Sequence, residues 1–99
     1  MSNVVMLISY KLATGASIPD FLLALERVQS EFIAKQTGYI SWKVLRDGDT
    51  WADLLTWESM SDAQNAMAAG ETNAANHAFF AFLDQESVKI QMFAVEKSF

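Results

Sequence analysis

Two ionisable side chains in the sequence could do acid–base chemistry near neutral pH. His77 is the only histidine, and an imidazole could act as a general base or supply one metal ligand. On its predicted helix it lies about 160° from the centre of the apolar side, which favours an exposed or rim position. Asp53 lies in an aromatic stretch, where burial would raise its pKa and make it a second candidate base. The alternative for Asp53 is an outward twist of the strand, or pairing with Arg46 or Lys43.

Aromatic side chains near Asp53 could bind a flat ligand. Trp42 and Trp57 could line a pocket, because stacked rings suit planar substrates. The phenols of Tyr10 and Tyr39 could hydrogen-bond a substrate oxygen, although tyrosine is common in strands. The alternative is that the tryptophans fill a core beneath helices, which requires no ligand.

The composition excludes several classes of site. There is no cysteine, which rules out disulfides, thiolate catalysis, Fe–S clusters and cysteine zinc sites. No metal-ligand spacing, phosphate loop or nucleophile elbow is present, so we expect no metal and no cofactor. A net charge of −5, with seven scattered basic residues, argues against nucleic acid and acidic membranes. The first apolar run is too short for a signal peptide or a membrane span, and we expect a cytoplasmic protein.

A β-hairpin over residues 38–59 carries Asp53 and all three tryptophans. Asp47-Gly48 is a strong turn signal, and a loop of two residues places Arg46 opposite Asp49, whereas a loop of four places it opposite Trp51. Since side chains alternate along a strand, one face should hold Ile40, Trp42, Val44, Trp51, Asp53, Leu55 and Trp57. Tyr39 should lie on the opposite face.

The remaining elements follow from apolar periodicity and capping residues. We predict a strand over 4–11, a helix over 18–35 after the N-cap Ser17, and a helix from a Ser61/Gln64 capping box to Gly70. A further helix over 73–83 after Thr72 and a strand over 87–96 complete the chain. The order β-α-β-β-α(α)-β is ferredoxin-like, with a four-stranded antiparallel sheet in a single domain over 1–99. The first and third strands should be central.

The predicted sheet has more apolar surface than its own helices can cover. Apolar residues make up 52% of the chain and charged residues 19%, and the first strand is apolar on both sides. Helices on one face would leave the other in water, with a patch above the roughly 300–600 Å² that is the largest on a typical monomer. We therefore predict a homodimer formed by sheet-to-sheet packing.

With this order, the chain resembles the dimeric α+β barrel superfamily and, within it, the antibiotic biosynthesis monooxygenase-like small proteins. The resemblance rests on Gly38, the strand end 54–59, the helix start 61–63 and the helical His77. It implies a dimer whose two sheets form a barrel, with a ligand cavity in each monomer between its sheet and its helices. Such proteins include cofactor-independent oxygenases of aromatic polyketides, haem-degrading oxygenases and isomerases.

The haem-degrading pattern of this superfamily is mostly missing. That pattern has an asparagine on the first strand, a tryptophan on the helix after the third strand and a histidine further along. This chain has Ser9 and Tyr10, then Ala66 and Met67, and only His77 matches. The resemblance therefore makes a haem-binding or haem-degrading protein the less favoured alternative.

The polyketide oxygenase pattern implies an asparagine, a tryptophan and a polar group, for which Asn65, Trp57 and Tyr39 are the candidates. The resulting hypothesis is a cofactor-independent monooxygenase-like protein that deprotonates a small aromatic or phenolic substrate in a dry cavity, with His77 or Asp53 as the base. The alternative is a non-catalytic small-molecule-binding or structural homodimer of the same fold.

Overall fold

The computed structural model describes residues 3–99 and contains one four-stranded antiparallel sheet. Its strands are β1 (Val4–Tyr10), β2 (Tyr39–Asp47), β3 (Thr50–Trp57) and β4 (Lys89–Ala94), in the spatial order β2-β3-β1-β4. The helices are α1 (Ile18–Glu31), α2 (Met60–Gly70) and α3 (Ala74–Phe80), with short 3₁₀ turns at Ile33–Lys35 and Gln85–Ser87. The predicted ferredoxin-like order is confirmed, and β1 and β3 are the central strands.

Alternation along the two central strands decides what is buried. Val4, Met6, Ile8 and Tyr10 of β1 are buried beneath the helices, and they lie opposite the buried residues of β3. The intervening side chains of β1 point to the other face of the sheet and are only half-buried. The unbroken apolar run of β1 therefore serves two different surfaces, as expected for a central strand.

The hairpin loop has two residues, but they are Gly48 and Asp49, one position later than the Asp47-Gly48 turn assumed from the sequence, and Arg46 therefore lies opposite Trp51. Asp47 pairs with Thr50, so the strands pair right up to the turn. Gly48 has φ 58°, which is the conformation that a II′ turn requires at its first central residue.

A β-bulge at the start of β2 makes one predicted face assignment wrong. Tyr39 lies opposite Trp57 and Ser41 opposite Thr56, so Ile40 is an extra residue without a partner. Tyr39 consequently shares the helix-covered face with Trp57, with ring centroids 6.0 Å apart, whereas Ile40 is 44% exposed. Counting by twos cannot detect such an insertion, because it shifts every side chain before it to the other face.

The helix ends differ from the predicted ones in their details. The Oγ of Ser17 accepts from the backbone N–H of Asp20 at 3.3 Å, as predicted. The cap of α2 is Ser59 instead of Ser61, and the cap of α3 is Asn73 instead of Thr72. The cap of α2 thus lies two residues before the predicted one, and the cap of α3 lies one residue after it. Neighbouring Ser, Thr and Asn residues compete for the capping role, which explains both differences.

Helix α1 is shorter than predicted, and only part of its apolar side is buried. Phe32 leaves the helical conformation, so the helix ends at Glu31. Phe21, Leu25 and Val28 are buried, but Ile18 and Leu22 are 36% and 41% exposed. The first turn of α1 therefore extends beyond the core that it was predicted to cover.

The face of the sheet opposite the helices remains open in the single chain. Val5, Leu7 and Leu54 lie on it half-buried, and Leu45 and Phe93 are 45% and 48% exposed. No helix within residues 3–99 has the length and apolar character needed to cross a membrane.

The head of β2 packs closely against the first turn of α2. Gly38 has φ 82°, and a Cβ at this position would overlap the carboxyl group of Asp62. Gly15 has nearly the same φ of 79° but open space around it. Comparing an alanine substitution at each glycine therefore separates the cost of backbone strain from the cost of a steric clash.

We predict that Gly38→Ala lowers the free energy of unfolding more than Gly15→Ala does. Gly15→Ala should cost about 1–2 kcal/mol from the left-handed backbone alone. Gly38→Ala should cost a further ~1–3 kcal/mol, because the new methyl group must displace Asp62. Urea unfolding monitored by circular dichroism measures both, and equal losses would contradict the close contact.

Candidate active site

A cavity of about 360 Å³ lies between the sheet and helices α2 and α3. Its volume is at the lower end of the range for small-molecule sites. Most of its wall is apolar and comes from both layers, including Met6, Ile8, Leu55 and Trp57 from the sheet and Ala66 and Phe80 from the helices.

The cavity exists because α2 has little side-chain volume to place on the sheet. The buried residues of α2 are Ala63, Ala66 and Gly70. Core side chains normally fill the space between layers to crystal-like density, but these three residues extend at most one carbon from the backbone. The sheet beneath contributes large side chains, and the remaining space is left unfilled.

The polar end of the cavity is formed where α2 meets α3. Gly70, Glu71, Asn76 and His77 are all part of its lining there. The Nε2 of His77 is hydrogen-bonded to the carbonyl oxygen of Glu71. Because a carbonyl can only accept, Nε2 carries the hydrogen, and in the neutral ring Nδ1 keeps its lone pair.

His77 is exposed to solvent while it also lines the cavity. It therefore lies at the rim, where one side of the ring meets water and the other meets the apolar wall. An imidazole with a fixed tautomer in this position can take a proton from a ligand and pass it to solvent.

Asn76 is a site residue that the sequence did not identify. Its backbone N–H donates to Oδ1 of the cap residue Asn73 at 2.9 Å, as is usual in the first turn of a helix. Its side chain, however, reaches back to α2 and donates from Nδ2 to the carbonyl oxygen of Gly70 at 3.1 Å. The spacing of residues in the sequence does not predict this contact, because it depends on how α3 packs against the end of α2.

Asp53 is buried and lies outside the cavity lining. It is 1% exposed, and the phenol of Tyr10 donates to its Oδ1 at 2.9 Å. The alternatives of an outward twist or pairing with Arg46 or Lys43 are wrong. Both cations are exposed, and the guanidinium of Arg46 lies 4.7 Å from the ring centre of Trp51.

Burial raises the pKa of Asp53 from 3.8 to about 7. The hydrogen bond from Tyr10 and the indole N–H of Trp42 both favour the charged carboxylate and oppose that rise. Within residues 3–99 this buried N–H has no acceptor in hydrogen-bond geometry, so the Tyr10 hydroxyl is the direct donor to Asp53. Burial and the neighbouring Asp53 raise the pKa of Tyr10, which stays a phenol at neutral pH.

Of the four predicted substrate-binding aromatics, only Trp57 lines the cavity. Tyr10 is buried in an aromatic cluster, with its ring centroid 6.1 Å from that of Phe21 and from that of Phe79. Tyr39 packs against Trp57 from outside the cavity. Trp42 packs edge-on against Phe79 at 6.2 Å and is not part of the lining.

Asn65, the asparagine implied by the resemblance, is exposed on α2 and is not part of the lining. The helix turns it away from the sheet, since the buried positions on either side are Ala63 and Ala66. The asparagine that lines this cavity is Asn76 of α3.

The residues of the cavity do not fit a haem. The two propionates of a haem would need cationic partners. Within residues 3–99, no lysine or arginine lines the cavity. The Nε2 of the single histidine is engaged by a backbone carbonyl. In the part of the chain that is described, no three His, Asp or Glu side chains come together as a metal site would require.

Comparison with solved structures identifies the fold. SnoaB, a cofactor-independent oxygenase from Streptomyces nogalater, superposes with a TM-score of 0.80 at 15% identity, over 99% of this chain and 97% of that one. A provisionally named antibiotic biosynthesis monooxygenase from Bordetella bronchiseptica gives 0.80 at 10% identity over all of both chains. PA3566 from Pseudomonas aeruginosa gives 0.71 at 12% identity, over 98% and 97%.

This chain has the fold of the antibiotic biosynthesis monooxygenase-like proteins. The resemblance seen in the sequence is thereby confirmed for the fold, and identities of 10–15% carry it no further. No protein-family model and no curated protein sequence matches the chain. The function must therefore be argued from the cavity itself.

We predict that Asp53 makes the protein less stable as pH rises. Between about pH 4 and pH 7 the folded chain holds the Asp53 proton and the unfolded chain does not. The free energy of unfolding should therefore fall, relative to Asp53→Asn, by about 1.4 kcal/mol per pH unit in that window and level off above it. Urea unfolding of both proteins across the pH range measures the difference.

Tyr10→Phe is a second variant that tests the same titration. It removes a hydrogen bond that favours the carboxylate, so the pKa of Asp53 should rise further and the window should extend upward. A wild-type minus Asp53→Asn difference that stays constant or increases with pH would contradict the buried protonated carboxyl.

Proposed function

We propose that this protein is a cofactor-independent monooxygenase-like protein that acts on a small aromatic or phenolic substrate in the cavity between its sheet and helices. The observation that carries the proposal is the apolar cavity with the imidazole of His77 at its polar end. The shared fold of SnoaB, a cofactor-independent oxygenase, supports it.

The proposed reaction balances without an external reductant. A phenol with an unsubstituted para position and O₂ give a para-quinone and water. One oxygen atom becomes the new carbonyl, the other leaves as water, and the arene supplies all four electrons. The chain must remove the phenolic proton, hold the ring and keep water away from the reacting carbon.

The residues around the cavity divide these tasks. Nδ1 of His77 takes the phenolic proton, which makes the ring electron-rich enough to react with O₂. Phe80, which is half-buried at the wall, supplies flat apolar surface for the ring, and the fully buried Trp57 lies behind that wall. Asp53 does not line this cavity, and we assign it no acid–base role in the reaction.

We predict that His77→Ala lowers the rate of O₂ consumption with 1,5-dihydroxynaphthalene by about 100-fold or more, since a positioned base contributes roughly 10²–10⁴. His77→Gln keeps a polar side chain that cannot accept the proton, so it should lose as much rate. An oxygen electrode measures the rate, and quenching of tryptophan fluorescence measures binding of the same compound.

Unchanged O₂ consumption in both His77 variants would overturn the role of the imidazole. A wild-type protein that binds the compound but consumes no O₂ above the buffer rate would favour the non-catalytic, small-molecule-binding alternative.

We also propose that two chains associate through the open face of the sheet. Leu7 and Leu54 lie at its centre, and Leu45 and Phe93 extend the apolar surface towards opposite edges. Lys43 and Lys89 share this face nearer its edges, so an apolar centre has a polar surround, as in many protein interfaces.

We predict that Phe93→Lys weakens self-association at least tenfold, about 1.4 kcal/mol, because the ammonium group would be buried without a partner. Leu23→Lys on α1 is the matched control, since Leu23 is 64% exposed and should stay so. Sedimentation equilibrium should give twice the 11.0 kDa chain mass for the wild type and the control. A monomeric wild type would contradict the interface.

A further inference from the structure

The side-chain amide of Asn76 is held in one position by close packing against α2. Nδ2 donates to the carbonyl oxygen of Gly70 at 3.1 Å, and a Cβ at Gly70 would lie 2.8 Å from the same nitrogen. Gly70 has ordinary helical backbone, so alanine would be the better residue there for helix stability. The glycine leaves the room that the Asn76 amide occupies.

This anchored amide keeps unused hydrogen-bonding capacity at the cavity. A primary amide offers two N–H donors and a carbonyl oxygen, and only one of the two N–H groups is needed for Gly70. Among residues 3–99, no group donates a hydrogen bond to Oδ1 of Asn76. Half-buried polar groups of this kind normally find a water or a ligand.

Asn76 and His77 together make one polar edge in an otherwise apolar cavity. The edge offers an N–H donor and a carbonyl acceptor from Asn76, and the Nδ1 lone pair of His77. A hydroxyl group on an aromatic ring complements this set, because its oxygen accepts while its hydrogen is donated.

The charges around the cavity disfavour a ligand that enters as an anion. The described lining has no lysine or arginine, and its one acidic residue is Glu71 at the polar end. A carboxylate or phosphate would lose its hydration without gaining a cationic partner. An uncharged ring system avoids this cost.

Building on the proposed function, we propose that Asn76 is a positioning residue that orients an uncharged hydroxyarene in the cavity. Its amide, fixed by Gly70, holds the ligand oxygen so that the hydroxyl hydrogen faces Nδ1 of His77. The ring system then lies along the apolar wall that includes Phe80.

Three probes of similar size test this assignment by fluorescence titration: 2-naphthol, 2-methylnaphthalene and 2-naphthoate. The wild type should bind 2-naphthol most tightly and 2-naphthoate most weakly. Asn76→Ala should weaken 2-naphthol binding about tenfold, the value of one lost hydrogen bond. It should leave 2-methylnaphthalene binding unchanged, whereas a merely structural role would weaken both probes alike.

Gly70→Ala is a second variant that keeps Asn76 but displaces its amide, and only the end of a flexible side chain has to move. It should also lose affinity for 2-naphthol alone. Asn65→Ala is the matched control, because this asparagine is exposed on α2 and outside the lining. It should bind all three probes as the wild type does.

Each contrary result overturns a different statement. Equal weakening of 2-naphthol and 2-methylnaphthalene in both variants overturns the role of Asn76 and leaves the proposed cavity intact. Binding of 2-naphthoate as tight as 2-naphthol overturns the uncharged ligand class. A wild type that binds none of the probes overturns the proposed function together with this inference.

Discussion

The pairing of the two central strands is the constraint on which the rest of the structure depends. Met6 lies opposite Leu55 and Ile8 opposite Asp53, and this register decides which side chains meet the helices and which face the open side. A slip of one residue would exchange the two sets, expose the core and bury the open face. The cavity, the buried carboxyl group and the open apolar face all follow from this one register.

The same register separates the two titratable groups that could do acid–base chemistry. Asp53 points from a central strand into the aromatic core, where it is 1% exposed and accepts a hydrogen bond from Tyr10. His77 lies on α3, at the rim of the cavity. A raised pKa is often taken as a mark of an active site, but in this chain it marks the core, and the candidate base is the more exposed group.

The cavity depends on small residues more than on large ones. Ala63, Ala66 and Gly70 bring α2 close to the sheet without filling the space beside it, and Gly70 also makes room for the Asn76 amide. Large side chains such as leucine at Ala63 or Ala66 would fill this space with ordinary core packing. The candidate site therefore depends on the small buried side chains of α2 and on two polar residues of α3, Asn76 and His77.

The amino-acid sequence by itself determined the order of elements, the central strands, the Asp47-Gly48 turn region and the Ser17 cap. These features depend on local chemistry and on the two periodicities of strand and helix, which a sequence displays directly. Asp53 could be recognised from sequence as an anomaly, since it is a carboxylate in an apolar strand.

Only the tertiary structure decided the partner of Asp53, the bulge that moves Tyr39 to the side of Trp57, and the contact of Asn76 with Gly70. The first depends on elements far apart in sequence, the second on one inserted residue that breaks a period, and the third on how α3 folds back against the end of α2. Tyr10 and Asp53 are 43 residues apart, and nothing local to either indicates the other. The asparagine that lines the cavity is Asn76, whose place depends on how α3 packs against the end of α2.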